Sequence, residues 1–289
     1  MKIILAQHFG LCFGVRDAIA QAKELARDGG LTMLGQLVHN PIVREQLRDQ
    51  GVEEGSLDDA TASSNRVMIT AHGASDLQRN KWTSAGFDVA DATCPLVRHA
   101  HEQLKQLVGA GYFPVVIGKA GHVEVRGLTE DFPEAVVLDS LADVSKHPSR
   151  ARYGVISQTT QPIEHVRHLV EALRAHYCDA EVLFVDTVCK PTKDRQSSLH
   201  ALIVQADTIV VIGGRHSNNT RQLVETCRAA GRQTIHVERA DEIRAPDFSD
   251  ANTVGVTAGT STLLETVFSV VRRLEEISSQ QNRNPKPNK

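Results

Sequence analysis

Three cysteines stand far apart in the chain in matching local contexts. Cys12 follows a strand-like run, Lys2–Ala6, through Gly10, and precedes a helical stretch, Val15–Arg27. Cys94 lies in Asp91-Ala92-Thr93-Cys94-Pro95, after an apolar segment and before another helical stretch. Cys189 lies in Asp186-Thr187-Val188-Cys189-Lys190-Pro191, in the same kind of place. Loops beyond the carboxyl ends of parallel strands line the binding crevice of α/β sheets. A helix N-terminus favours the thiolate, which is the metal-binding form of cysteine. Three soft thiolates point to an iron–sulfur cluster or to zinc. Three ligands rather than four leave one position open, and an open position implies chemistry. The competing reading is a scatter of buried structural cysteines. Cys178 and Cys227 lack the strand-end context and read as structural.

Polar residues fall at further strand ends. His39 opens a helix in Val38-His39-Asn40-Pro41, and His72 does so in Thr70-Ala71-His72-Gly73. Gly121-His122-Val123-Glu124 supplies an imidazole and a carboxyl group. Ser157-Gln158-Thr159-Thr160, Ser217-Asn218-Asn219-Thr220 and Gly259-Thr260-Ser261 are donor-rich turns. Any one Ser or Asn before a helix is by default a cap. Six such segments on one rim make an anion site built from amides, hydroxyls and imidazoles, for which phosphate or diphosphate is the natural ligand. Glu124 near an open metal position could relay protons, or serve only as a first-turn helix acid. His99, His101, His165, His168 and His176 fall on helical stretches and are expected to face solvent.

These loops need a scaffold. Strand-like runs at Arg66–Thr70, Phe113–Gly118, Gly154–Ser157, Glu181–Val185, Thr208–Gly213, Gln233–Val237 and Thr253–Thr257 alternate with helical stretches at Pro95–Val108, Ile163–Ala175, Thr192–Gln205 and Ser217–Ala229. That alternation predicts an α/β protein with mostly parallel sheets. Val67-Met68-Ile69-Thr70-Ala71-His72-Gly73, Val115-Val116-Ile117-Gly118-Lys119-Ala120-Gly121-His122 and Val210-Val211-Ile212-Gly213-Gly214-Arg215-His216 resemble one another, so three related modules are expected. Their bounds are read as 13–94, 95–188 and 189–277, the last completed by strand segment 1–12. The polar stretch 278–289 is expected to be disordered.

Composition narrows the function. With 32 Lys and Arg against 35 Asp and Glu the net charge is −3, and aromatics are 4% of the 289 residues. A nucleic-acid partner or an anionic membrane surface is not expected. No apolar run approaches the roughly 20 residues that span a bilayer, and the N-terminus lacks signal-peptide features. The five scattered cysteines argue for a reducing, cytoplasmic setting. There is no G-x-G-x-x-G, no phosphate loop ending in Gly-Lys-Ser/Thr and no C-x-x-C. Redox work would therefore draw electrons from a separate carrier.

Taken in order, these segments resemble the 4-hydroxy-3-methylbut-2-enyl diphosphate reductase family (IspH/LytB), from about Met1 to Leu274. Gly10-Leu11-Cys12-Phe13-Gly14-Val15, Val38-His39-Asn40, Ala71-His72-Gly73, Ala92-Thr93-Cys94-Pro95-Leu96-Val97, Gly121-His122-Val123-Glu124-Val125, Gln158-Thr159-Thr160, Cys189 with Asp194-Arg195-Gln196, Ser217-Asn218-Asn219-Thr220 and Thr257-Ala258-Gly259-Thr260-Ser261 carry the likeness. The resemblance implies a 4Fe–4S cluster on Cys12, Cys94 and Cys189 with its fourth iron open, and three pseudo-equivalent modules around it. It implies a diphosphate held by His39, His72, His122, Ser217, Asn219 and Ser261, with Asn218 able to donate as well. Glu124 would deliver protons and Thr159 would orient the substrate hydroxyl. The implied reaction is reductive dehydroxylation to isopentenyl and dimethylallyl diphosphates, the last step of the methylerythritol phosphate route. The expected electron donor is an external flavodoxin or ferredoxin. Departures from the family pattern are Val123 for Pro, His216 for Asn, Asn218 for Ser or Gly, and Phe13 for Ala. Two other readings are a cluster-dependent dehydratase or condensing enzyme like quinolinate synthase, and a non-enzymatic iron–sulfur sensor.

Overall fold

The computed structural model describes residues 1–38 and 40–283, apart from the side chains of residues 218, 282 and 283. His39 and residues 284–289 lie outside the described residues. In chain order the elements are β1 (Lys2–Leu5), α1 (Phe13–Leu25), β2 (Leu31–Leu34), α2 (Pro41–Asp49), β3 (Val52–Gly55), β4 (Arg66–Ile69), α3 (Asp76–Ser84), β5 (Asp88–Asp91), α4 (Pro95–Gly109), β6 (Phe113–Ile117), α5 (Val123–Thr129), β7 (Val136–Leu138), α6 (Leu141–Val144), β8 (Arg152–Ser157), α7 (Ile163–His176), β9 (Glu181–Phe184), α8 (Lys190–Gln205), β10 (Thr208–Ile212), α9 (Asn218–Ala229), β11 (Gln233–Val237), β12 (Thr253–Ala258) and α10 (Leu264–Arg283).

The strands form three four-stranded sheets, ordered β3-β2-β4-β5, β7-β6-β8-β9 and β11-β10-β12-β1. Every pairing is parallel. Each sheet repeats one scheme, with the first strand of its set inside and the third beside it. The fourth place is taken by β5, by β9 and, in the third sheet, by β1, which pairs with β12 from Lys2 opposite Thr253 to Leu5 opposite Val256.

The chain parts into two compact units. One comprises Met1–Val15, Val38–Glu45 and Asp194–Lys289; the other comprises Arg16–Leu37 and Gln46–Lys193. In the first unit the period-two alternation of a strand is visible in β10. Val210 and Ile212 pack against Val267, Val270, Leu274 and Ile277 of α10. Ile209 and Val211 pack against Leu199, Leu202, Leu223 and Val224 of α8 and α9. In the second unit Val115 and Ile117 face Val166, Leu169, Val170 and Leu173 of α7. Val116 faces Ala100, Leu104 and Leu107 of α4. Those α4 positions recur at helical spacing behind Pro95, whose missing amide suits the first turn. The third core in this unit gathers Val67 and Ile69 around Trp82.

Two expectations need correction. Residues 278–283 are not disordered: they continue α10, where Ile277 is buried and the Ser278 hydroxyl donates to the Met1 carbonyl at 2.8 Å. A polar composition hid the last turns of an amphipathic helix whose apolar stripe packs on the β10–β12 core of the first unit. His101 does not face solvent. Its Nε2 is buried without a hydrogen-bond partner, and burial together with the nearby Lys105 and Arg79 charges lowers its pKa.

Where the β8–β9 ladder ends, a side chain replaces the backbone. The Thr187 hydroxyl accepts from the Ser157 amide at 2.9 Å and donates to the Ser157 carbonyl at 2.7 Å. Both residues are buried. Thr187→Val keeps the shape but strands both backbone groups, so it should cost about 1–3 kcal/mol in urea denaturation, whereas Thr187→Ser should cost less than half of that.

Candidate active site

The three cysteines occupy equivalent positions in the three sheets. Cys94, Cys189 and Cys12 come three, five and seven residues after the last residue of β5, β9 and β1. Despite these unequal lengths, each cysteine amide donates to the carbonyl two residues beyond the end of the neighbouring strand. Cys94 N donates to Ala71 O at 3.0 Å, Cys189 N to Thr159 O at 2.9 Å and Cys12 N to Thr260 O at 3.4 Å. Each cysteine then gives way at once to a helix: α4, α8 and α1 begin at the next residue. None of the three is in a disulfide, and all are partly exposed. Cys227 contrasts with them. It is buried in α9, where desolvation pushes its thiol up to about 11, as suits a structural cysteine. Cys178 is exposed in the turn after α7.

In the second unit a chain of contacts joins six of the expected residues. Ala71, which accepts from Cys94, precedes His72. The His72 and His122 rings meet edge to face with centroids 5.7 Å apart. His122 caps α5, its Nδ1 accepting from the Glu124 amide at 3.2 Å. Glu124 is 1% exposed, and its Oε1 accepts from the Thr159 amide at 2.6 Å. Thr159 O in turn accepts from Cys189 N. Burial raises the Glu124 carboxyl to about 7, against the weaker lowering effect of the Thr159 hydrogen bonds. A carboxyl balanced between its two protonation states near neutral pH suits proton transfer.

In the first unit Ser217 caps α9, its hydroxyl accepting from the Thr220 amide at 3.4 Å. Asn219 Oδ1 accepts from the Thr260 amide at 3.0 Å, which ties the β10 rim to the β12 rim. Ser261 is 7% exposed, and its Oγ is buried without a hydrogen-bond partner. A buried hydroxyl left this way costs stability and needs an explanation, and a bound anion supplies one. Asn218 is the first residue of α9; its side chain and all of His39 lie outside the described residues.

Sequence reasoning quoted two supporting residues within motifs but gave neither a role. Asn40 caps α2 through its Oδ1 and donates from Nδ2 to Ser261 O at 2.9 Å. The Asn-Pro pair before a helix was the available signal. Arg195, buried in α8, donates to Gly10 O at 2.7 Å behind the Cys12 loop. No periodicity singles out such a residue.

Among the described residues, no group of three or more His, Cys, Asp or Glu side chains forms a ready-made metal site. The donor chemistry nonetheless fits an iron–sulfur cluster: three accessible thiols at helix N-termini, with the unpartnered Ser261 hydroxyl on the same kind of rim.

Three parallel sheets whose rims each present one cysteine define a class of α/β protein, and the comparisons agree. The LytB protein family matches residues 3–275. The 4-hydroxy-3-methylbut-2-enyl diphosphate reductase of Geotalea uraniireducens (strain Rf4) is 35% identical over 98% of this chain and 100% of its own length. That of Trichlorobacter lovleyi is 38% identical over 96% and 99%. The solved (E)-4-hydroxy-3-methyl-but-2-enyl diphosphate reductase, the terminal enzyme of the non-mevalonate pathway, is 32% identical, with a TM-score of 0.69 over 96% of this chain and all of that one. The Plasmodium falciparum reductase structure, at 23% identity, shares the fold with a TM-score of 0.86 over 94% and 87% of the two chains. This chain belongs to the LytB protein family, and its named relatives are oxidoreductases. No helix among the described residues is long and apolar enough to cross a membrane.

The Glu124 carboxyl also gives a stability signature. Unfolded, it returns to its ordinary value of 4.5. Between about 4.5 and 7 the folded chain keeps a proton that the unfolded chain has released, so this group's contribution to stability falls as pH rises and is flat above 7. Glu124→Gln removes the effect. The stability of the parent relative to this variant should drop by about 3 kcal/mol from pH 4.5 to 7.5 in denaturant melts. A difference that does not change with pH would mean an unshifted carboxyl.

Proposed function

We propose that this chain converts 4-hydroxy-3-methylbut-2-enyl diphosphate to isopentenyl and dimethylallyl diphosphates. The C–O bond to the allylic hydroxyl breaks, two electrons and two protons enter, and water leaves. Family membership and the named relatives support the reaction. The buried Glu124–Thr159 pair is the observation that carries its chemistry. Cys12, Cys94 and Cys189 would hold a 4Fe–4S cluster, which supplies the electrons and a Lewis-acidic iron for the departing oxygen.

The protein's own residues do the rest. His39, His72, His122, Ser217, Asn218, Asn219 and Ser261 bind the diphosphate by donated hydrogen bonds, which fix the hydroxyl end of the substrate. Thr159 orients that hydroxyl. Glu124 carries its proton on a carboxyl oxygen, releases it toward the leaving group, and is re-protonated readily because it titrates near 7. Burial keeps bulk water away from the proton being moved. Electrons come from an external carrier such as flavodoxin or ferredoxin, in the cytoplasm. The three rims belong to modules spanning 13–94, 95–188 and 189–277, the last completed by segment 1–12.

Anaerobically prepared protein should consume the hydroxylated C5 diphosphate with reduced methyl viologen and release both products; no consumption would overturn the reading. Cys94→Ser should lose most of its brown absorbance, because a hard oxygen replaces a soft thiolate poorly. Full iron and sulfide in that variant would remove Cys94 from the ligand set. Glu124→Gln should keep its iron yet lose turnover by roughly 10²-fold or more.

A further inference from the structure

The rim cysteines are not chemically equivalent. The third residue of the helix after each one is Val15 behind Cys12, Val97 behind Cys94 and Thr192 behind Cys189. Two of these side chains are hydrocarbon. The third is a hydroxyl: Thr192 is 2% exposed, and its Oγ1 lies 3.1 Å from Cys189 Sγ. The Thr192 amide donates to the Cys189 carbonyl at 3.0 Å, which fixes the side chain over the sulfur. A thiolate has no proton to give, so in the ligand form of Cys189 the hydroxyl must be the donor.

We propose that Thr192 is a positioning residue that tunes one corner of the cluster: its hydroxyl, donated to the Cys189 sulfur, raises the reduction potential above the value a valine there would give. The inference rests on reading Cys189 as a cluster ligand. Reduction adds one electron, and the added negative charge spreads onto the sulfurs. A hydrogen bond to a ligand sulfur therefore stabilises the reduced form more than the oxidised form. Thr192→Val only repeats what Val15 and Val97 already do at the same helical position, so the substitution is one this fold accommodates twice.

The test is a redox titration of anaerobically reconstituted protein, followed by visible absorbance and electron paramagnetic resonance, with iron and sulfide measured on each sample. At a fixed potential near the midpoint, Thr192→Val and Thr192→Ala should shift the reduced-to-oxidised ratio down by up to about tenfold, or about 59 mV for a one-electron couple. Thr192→Ser should match the parent, and metal content should stay unchanged. Equal potentials for parent and Thr192→Val would overturn the proposal. So would a Thr192→Ser that moves with the Val variant, since that would assign the effect to the methyl group. If the Val variant loads no cluster, the Ala and Ser variants make the same comparison. A parent protein that takes up no iron and sulfide would overturn the cluster reading and this inference with it, an outcome distinct from an unmoved potential.

Discussion

A backbone amide withdrawn from water needs an acceptor, and three cysteine amides find theirs in carbonyls at the strand ends. The cysteine amides bond to the carbonyls of Ala71, Thr159 and Thr260, each two residues past the end of a neighbouring strand. Because parallel strands end at a common edge, the register of the ladder decides where those carbonyls stand. Loops of different length are thereby brought to one geometry. Each accepting residue is also beside, or is itself, a residue assigned to substrate: Ala71 precedes His72, Thr260 precedes Ser261, and Thr159 is one. Each cysteine and the residue proposed to hold substrate beside its acceptor are therefore joined through a single hydrogen bond, strand by strand.

The acid works under the same constraint. Glu124 lies on a helix of seven residues that must serve two cores. Val123 packs on the Trp82 core, while Val125 and Leu128 pack on the core beneath β6. Arg126, on the same helix, pairs with Asp58 and Glu130, and Ser75 donates to Glu130 as well. Exposed ion pairs of this kind contribute little stability one by one. Together they limit how far the carboxyl can swing from the Thr159 amide. A carboxyl desolvated this fully must be held by its neighbours, because its own solvation no longer favours the site.

Much of this was legible in the residues. The long apolar runs at β10 and β12 and the strong helical spacing of α4 announce themselves, and so do the cysteine contexts. The short strands do not. Leu31–Leu34 looks like any apolar tetrad, Val52–Gly55 carries two glutamates at a sheet edge, and Val136–Leu138 has only three residues. These depend on their neighbours for existence, and propensity cannot see neighbours. The polar end of α10 was misread for a related reason, since its helicity is fixed by what it covers. At the site, the residue types proposed to touch ligand were visible from motif and spacing. The residues that hold them, Asn40, Arg195 and Thr187, act through backbone groups distant in sequence, and no local pattern encodes a partner that far away.

The place of β1 has a bearing on how the molecule comes into being. Among the described residues β1 precedes every other strand in the sequence, yet it pairs with β12, Thr253–Ala258, which follows all the others. Local elements order quickly, whereas a pairing between segments this distant in sequence forms slowly. The loop bearing Cys12 hangs from that pairing, whereas Cys94 and Cys189 follow strands paired with nearer neighbours. The seat of Cys12 therefore depends on a contact that spans nearly all of the sequence between β1 and β12.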